Sequence, residues 1–221
     1  MGKNKGDRKV MKKVDIILKT DRKFNNNAAE GLRGFCGNYF KNIVQFHNHL
    51  DEVSFNYDFS YIQYRVIDGQ LAIMGIDEGA DILLEHIEEI KTVKLGDEIV
   101  EVEPEITITF PKLEITDTMY RYKFDSLWFA LNDQNYKKYI KGEFSLDNQL
   151  RNNILEFFKM CKIWVDKRII AKGNFKEERI FKKDTEILVF SGEFETNALL
   201  PDNICLGKRK SIGLGRIKRL K

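Results

Sequence analysis

The pattern of apolar and polar positions predicts short strands and two helices in the first half of the chain. The predicted elements are strands at 14–18, 61–67, 70–76 and 105–110, a hairpin at 92–102, and helices at 28–43 and 77–90. Asp68-Gly69 between the second and third strands is the commonest type I′ hairpin signal, and Gly96-Asp97 marks the second turn. Ile106, Ile108 and Phe110 alternate, which predicts a half-buried strand. The order β-α-β-β-α-β is ferredoxin-like.

The second half repeats this order more loosely. The predicted elements are a strand at 120–131 that enters a helical stretch at 132–141, a helix at 146–162, and strands at 175–181 and 186–195. This is a β-α-β-β copy followed by a terminal loop. We therefore expect an α+β fold with a boundary near 111–117, so that 1–112 and 113–221 form two domains.

The helix predicted at 28–43 has two unusual features. Asn27 followed by Glu30 predicts an N-cap with a capping box. Gly31, Gly34 and Gly37 recur every third residue, and each costs about 1 kcal/mol of helix propensity relative to alanine. We expect something to lie unusually close to this helix, either another backbone or a ligand.

Composition narrows the class of protein. The 221 residues are 43% hydrophobic and 32% charged, as in soluble globular proteins. The net charge of +3 does not by itself indicate a nucleic-acid binder, but both ends are basic while 77–105 carries eleven acidic residues against two lysines. Cysteine is scattered and odd in number, at Cys36, Cys161 and Cys205, which indicates free thiols in a reducing cytoplasm. No signal peptide or membrane span is visible, so we expect a cytoplasmic protein.

The most informative stretch is 206–221. It holds three glycines and seven cations without an acidic residue: Gly207, Gly213, Gly215, Lys208, Arg209, Lys210, Arg216, Lys218, Arg219 and Lys221. Glycine backbone edged by cations suits a phosphodiester chain, because it can turn at positive φ and approach a ligand closely. The alternative is a solvated basic terminus, which interleaved aliphatic residues disfavour. We predict an RNA-binding loop formed by Gly207, Lys208, Arg209, Lys210, Gly213, Gly215 and Arg216.

A pair of histidines provides the candidate chemistry. In an extended segment past the helix, His47 and His49 would point to one face and converge on a single group. Zinc is one alternative, although His86 lies mid-helix and the cysteines lack zinc-ligand spacing. A pair of surface or cap histidines is another. The hypothesis we favour is a metal-independent ribonuclease, in which imidazoles supply a base and an acid, and Lys41 or a cation of the terminal loop stabilises charge on phosphorus.

These residues carry a family resemblance. The segments are Leu32-Arg33-Gly34, Phe46-His47-Asn48-His49, Tyr61-Ile62-Gln63-Tyr64-Arg65-Val66-Ile67-Asp68-Gly69 and Gly75-Ile76-Asp77-Glu78-Gly79-Ala80. Together they resemble a CRISPR repeat-processing endoribonuclease, the b-type of the sixth Cas family, within the superfamily of repeat-associated RNA-binding proteins. The terminal Gly-Lys-Arg-Lys-Ser-Ile-Gly-Leu-Gly is similar to that superfamily's glycine-rich loop, with the first glycine pair reduced to Gly207.

The resemblance implies two tandem ferredoxin-like (RRM-like) domains with a C-terminal glycine-rich loop. It implies an antiviral-defence enzyme that cleaves precursor CRISPR RNA within its repeats, without metal or cofactor, leaving 5′-hydroxyl and 2′,3′-cyclic phosphate ends. The catalytic histidines fall on His47 and His49, with the assignment of base and acid open. The expected partner is CRISPR repeat RNA, single-stranded or in a weak stem-loop; an effector complex and a homodimer on RNA are further partners to test. The alternatives are a non-catalytic RNA-binding subunit of an effector complex and a general RNA-binding module, whose RNP pattern is absent.

Overall fold

The protein is described from a computed structural model that defines residues 10–47, 60–182 and 185–221. Their internal contacts divide them into two compact units. The N-terminal unit comprises the described residues from 12 to 110 together with Ser211–Gly213. The C-terminal unit comprises Val10, Met11 and the remaining described residues after Phe110. Ser211–Gly213 therefore groups with the N-terminal unit although it lies late in the chain.

The N-terminal unit has a four-stranded antiparallel sheet in the order β2-β3-β1-β6. Its elements are β1 (Lys13–Lys19), α1 (Ala28–Tyr39), α2 (Val44–His47), β2 (Ile62–Ile67), β3 (Gln70–Ile76), α3 (Glu78–His86) with a 3₁₀ turn (Ile87–Glu89), β4 (Thr92–Leu95), β5 (Glu98–Glu101) and β6 (Glu103–Thr109). Strands β4 and β5 form a separate hairpin that packs on α1. The order of elements and of strands confirms the predicted ferredoxin-like fold.

The hairpin predicted at Asp68-Gly69 is confirmed by its backbone. Asp68 has φ 51° and Gly69 has φ 80°, the two positive values that a type I′ turn requires. The turn sets the antiparallel register between β2 and β3, in which Ile67 faces Gln70. This register buries Ile62, Tyr64 and Val66 under the helices.

The helix predicted at 28–43 is shorter than expected. Helix α1 ends at Tyr39, and the chain turns before the four-residue helix α2. The predicted capping box is wrong, because Asn27 has helical dihedrals and its side chain makes no cap hydrogen bond. Of the helix glycines, Gly31 is approached by Leu95 of β4, since a Cβ there would lie 3.0 Å from Leu95 Cδ2. A Cβ on Gly34 would meet nothing within 4 Å.

Strand β6 is exposed rather than half-buried. Ile106, Ile108 and Phe110 were expected on a buried face, but their exposed fractions are 36, 46 and 62%. The reason is the placement of the helices: α1 and α3 pack mainly on β1, β2 and β3, whereas β6 pairs with β1 at the edge of the sheet away from them. The alternating apolar residues predicted the strand correctly but not how little of it is buried.

The C-terminal unit has a second antiparallel sheet in the order β10-β7-β9-β8. Its elements are β7 (Glu114–Phe124), α4 (Asp133–Ile140), α5 (Leu146–Met160), β8 (Ala171–Lys182), β9 (Thr185–Leu199), a 3₁₀ turn (Lys210–Ile212) and β10 (Ile217–Arg219). In this ferredoxin-like arrangement, residues 200–216 connect the third strand to the fourth. The glycine-rich segment therefore stands where the N-terminal unit has α3.

Local sequence signals account for most of this unit. Ser145 caps α5, since its hydroxyl accepts a hydrogen bond from the Asn148 N–H, 3.2 Å away. The strand predicted at 120–131 is wrong at its end, because β7 stops at Phe124 and the chain crosses to Trp128, which bridges to Phe190 of β9. No helix in the described ranges combines the length and apolarity needed to cross a membrane. The three cysteines are buried free thiols, as expected.

Candidate functional site

The segment before the histidine pair is held by Phe46. Its side chain is buried and stacks on Phe40, with ring centroids 4.2 Å apart. Its carbonyl accepts a hydrogen bond from the hydroxyl of Tyr64 on β2, at 2.9 Å. Burial raises the pKa of the Tyr64 hydroxyl well above its usual value, so this group remains a donor at neutral pH. The backbone immediately before His47 is thus fixed to the sheet.

The predicted catalytic residues fall on and after the turn that follows α1. Lys41 is exposed in this turn, and His47 is the last residue of α2. The backbone of His47 is therefore helical, which differs from the extended segment expected from Phe46 onward. His49 lies outside the described residues. The sequence missed the second short helix because four residues are too few to show an apolar period.

The third histidine, His86, lies beside a glutamate and two aromatic rings. His86 ends α3, where its Nδ1 lies 2.8 Å from Glu89 Oε1. Its ring centroid lies 5.6 Å from that of Phe40 and 6.4 Å from that of Phe46. Within 10–47, 60–182 and 185–221, no three His, Cys, Asp or Glu side chains converge as metal ligands.

Two glycines of the terminal loop allow it to pack tightly on its own unit. Gly215 has φ 72°, and a Cβ there would lie 2.0 Å from the carbonyl oxygen of Leu206. Gly207 has φ 90°, and its Cβ would lie 2.7 Å from Trp128 Nε1. The Leu206 N–H donates to the Gly215 carbonyl at 2.9 Å, which closes the loop at its base. These glycines therefore permit a compact loop, whereas the sequence suggested close approach to a ligand.

Gly213 belongs to the short segment of the loop, Ser211–Gly213, that is assigned to the N-terminal unit. Its φ is 83°, and a Cβ there would lie 3.0 Å from Arg65 Cβ and 3.1 Å from the Tyr64 carbonyl oxygen. Position 213 therefore needs glycine both for its backbone angle and for the space beside β2.

The loop's cations differ in how exposed their side chains are. Lys208 and Arg209 are exposed, and Lys208 Nζ lies 5.2 Å from the centroid of the Phe129 ring. Lys210 instead forms an ion pair with Glu156 of α5. Arg216 Nη2 donates to Asp125 Oδ2 at 2.8 Å. The sequence treated these cations as equivalent, but two of them are already held by carboxylates.

The Arg216 pair also changes the acidity of its partner. Partial burial alone would raise the pKa of Asp125, but the charge and hydrogen bond of Arg216, with Lys123 nearby, lower the pKa overall. The carboxylate is therefore charged at neutral pH. Arg216 anchors the start of β10, where its N–H also donates to Ser126 Oγ at 2.8 Å.

Sequence reasoning missed the aromatic residues beside the loop. The Lys208 N–H donates to the Phe129 carbonyl at 2.9 Å, although the two residues are far apart in the chain. Tyr136 on α4 is 40% exposed and lines the same cavity as Phe129, Lys208 and Arg209. The available signal was an aromatic pair, Trp128-Phe129, between a strand and a helix, but nothing local connects it to residue 208.

Family models match along nearly the whole chain. The Cas6b N-terminal domain matches residues 9–127, and the Cas6b C-terminal domain matches residues 114–220. An uncharacterised protein of Methanocaldococcus jannaschii is 29% identical over 119 residues, covering 51% of this chain and 81% of that protein.

Solved structures share the fold. A crystal structure of Cas6b is similar with a TM-score of 0.87 and 25% identity, covering 95% of this chain and all of that one. A crystal structure of the CRISPR RNA processing endoribonuclease Cas6b has a TM-score of 0.73 and 23% identity, with 95% of this chain and 100% of that chain covered. A RAMP protein that binds different RNA substrates matches at TM-score 0.53 and 13% identity, over 96% of this chain and all of that one.

Proposed function

The chain belongs to the Cas6b family, and from that premise we propose that it cleaves precursor CRISPR RNA within its repeats by metal-independent general acid–base chemistry. The supporting observation is the anchored segment before His47. A buried ring and a buried hydrogen bond hold Phe46 in place. Such fixation is expected for a side chain that must meet a scissile phosphate in one geometry.

The reaction requires two proton transfers. A base removes the proton from the ribose 2′-hydroxyl, the 2′-oxygen forms a bond to phosphorus, and the bond from phosphorus to the 5′-oxygen breaks as an acid protonates that oxygen. The products are a 2′,3′-cyclic phosphate and a 5′-hydroxyl. His47 and His49 supply the base and the acid, and Lys41 or a cation of the terminal loop stabilises the negative charge on the phosphoryl oxygens.

The terminal loop binds the repeat backbone in this proposal. Lys208 and Arg209, both exposed, are the principal phosphate contacts. Lys210 and Arg216 contribute less, because a phosphate must compete with Glu156 and Asp125 for them. Gly207, Gly213 and Gly215 act by shaping the loop that presents these cations.

Cleavage of the repeat RNA from the same genome, in EDTA, tests the proposal. We expect wild-type protein to yield 2′,3′-cyclic phosphate and 5′-hydroxyl ends. His47→Ala and His49→Ala should each cleave about 100- to 10,000-fold more slowly while binding the repeat with nearly wild-type affinity. The double variant should lose less than the product of the single effects, because both residues serve one reaction.

His86→Gln controls for the loss of a histidine outside the pair; because its ring lies 5.6 Å from that of Phe40, we expect a rate loss far smaller than the roughly 100-fold minimum for His47 or His49. A double His47 and His49 variant that cleaves at the wild-type rate contradicts the assignment. Loss of activity in EDTA with recovery in zinc contradicts metal independence. Tight repeat binding by an inactive wild-type protein favours a non-catalytic subunit of an effector complex.

The expected homodimer on RNA is tested separately, by light scattering of the protein with its repeat.

A further inference from the structure

A cavity of about 540 Å³ lies in the C-terminal unit between α4, the β8–β9 hairpin and the terminal loop. Its volume is within the range of roughly 300–1,000 Å³ that holds small ligands in proteins. All of its lining residues belong to the C-terminal unit, and none of them is a proposed catalytic residue. Both aromatic and cationic side chains line the cavity.

The aromatic side chains are Phe129 and Tyr136. Phe129 is half-buried and has Lys208 Nζ 5.2 Å from its ring centroid. Tyr136 projects from α4 and is 40% exposed, so part of its ring is available for stacking. Exposed aromatic rings beside cations form the usual platform for the bases of unpaired nucleic acid.

The charges around the cavity favour an anion. Lys137, Lys208 and Arg209 are exposed cations in its lining. Glu186 is held by Arg179, whose Nη1 lies 2.6 Å from Glu186 Oε1. The remaining lining carboxylate is Asp133, so cations exceed acids among the described lining residues. A phosphate entering beside a ring therefore meets complementary charge.

We propose that this cavity takes one unpaired nucleotide of the repeat RNA, with the base against Tyr136 and Phe129 and a flanking phosphate against Lys208 or Lys137. The inference rests on the proposed function, because it takes repeat RNA as the ligand. A base within a duplex is stacked on both faces, so a base that enters the concave cavity has left its helix. The cavity thus selects repeats that have an unpaired nucleotide at one fixed position.

Single abasic sites along the repeat RNA provide the test. With wild-type protein, we expect one position, or two adjacent ones, to weaken binding by about 5- to 150-fold, the loss typical of one stacked base. Tyr136→Ala should weaken binding of the intact repeat by a similar factor. In the Tyr136→Ala variant, the same abasic site should weaken binding little further, because the ring on which the base stacks is already absent.

Two variants control for the ring. Tyr136→Phe keeps the aromatic face and should bind like wild type. Trp164→Ala removes an aromatic side chain that is 90% exposed and does not line the cavity, and it should not couple to any abasic position. Because Tyr136 is only 40% exposed, melting curves of its variants are measured first, and binding is compared well below the lowest melting temperature. Lys208→Ala provides a second readout, with the salt slope of binding reduced by about 0.7.

The outcomes separate the cavity from the catalytic proposal. If the wild-type protein cleaves its repeat but no abasic site couples to Tyr136, the cavity is not a nucleotide site and the proposed function stands. If coupling is present but nothing is cleaved, the cavity holds a nucleotide and the catalytic proposal fails. Equal losses for Tyr136→Ala and Trp164→Ala with no coupling to any abasic site also overturn the inference.

Discussion

Tyr64→Phe removes the hydroxyl that anchors Phe46 and leaves the rest of the buried ring in place. The lost hydrogen bond joins Tyr64 to the Phe46 carbonyl at 2.9 Å, in a site where the Tyr64 side chain is 1% exposed. Leaving a buried carbonyl without its donor costs about 1–3 kcal/mol, so the free energy of unfolding should fall by that amount. Since Phe46 precedes His47, the same change should also disturb the position of this proposed catalytic histidine.

The expected effect on catalysis is large compared with the effect on stability. A displacement of about 1 Å at a reacting group can cost on the order of 100-fold in rate, and we expect Tyr64→Phe to lower the saturated single-turnover rate by about 10- to 100-fold. Urea denaturation and single-turnover cleavage, measured well below the unfolding temperature, give the two quantities separately.

Tyr122→Phe is the matched control in the other unit. The Tyr122 hydroxyl is also buried; it donates to the Leu200 carbonyl at 3.1 Å and accepts from the Leu200 N–H at 2.8 Å. Its loss should lower the free energy of unfolding by a comparable amount and leave the saturated rate unchanged. Equal rate losses in both variants, or a full rate in a destabilised Tyr64→Phe, would refute the role of the anchor.

Three further predictions concern the loop cations, a pair of glycines (one in a helix and one in the terminal loop) and acid stability. Lys208→Ala combined with Arg209→Ala should flatten the dependence of log affinity on log salt by about 1.4, at about 0.7 per lost contact to single-stranded phosphate; an unchanged slope in filter binding would mean that these cations do not touch RNA. Gly34→Ala should raise the free energy of unfolding by about 1 kcal/mol, because a new methyl group meets nothing within 4 Å and alanine favours the helix. Gly215→Ala should lower it by more than about 1 kcal/mol, because residue 215 has positive φ and no space for a Cβ; urea titrations that rank the two variants in the opposite order would contradict the geometry. Because the pKa of Asp125 is lowered in the folded state, its stabilising effect is present above the unfolded carboxyl pKa of about 3.9 and is lost as pH falls through the folded value. Asp125→Asn should therefore make stability less dependent on pH below about 4, and an unaltered acid unfolding curve would argue against the Arg216 pair.

Local sequence was sufficient for many of the secondary structure elements. The turn at Asp68-Gly69 has both of the positive φ values that its residues predict. The turn at Gly96-Asp97 likewise connects β4 to β5, and the helix predicted at 146–162 is confirmed as α5. These features depend on backbone preferences and apolar periods within a few residues, which a sequence displays directly.

The motif Gly75-Ile76-Asp77-Glu78-Gly79-Ala80 was recognised by resemblance, but its physical reason is tertiary. A Cβ on Gly79 would lie 2.6 Å from the Tyr61 carbonyl oxygen, and a Cβ on Gly75 would lie 2.6 Å from the Gly79 carbonyl oxygen. The glycines allow the start of α3 to approach the sheet. Sequence shows that small residues are present but does not show which backbone approaches them.

The sequence by itself determined the ferredoxin-like order of elements and the basic, glycine-rich character of the terminal loop. The tertiary structure decided which loop cations remain exposed, because Lys210 meets Glu156 from a helix more than fifty residues earlier in the chain. It also decided that Ile108 on β6 is exposed, since α1 and α3 pack mainly on the other three strands of the sheet. Charge and periodicity are properties of neighbouring residues, whereas pairing and depth depend on segments that meet only after the chain has folded.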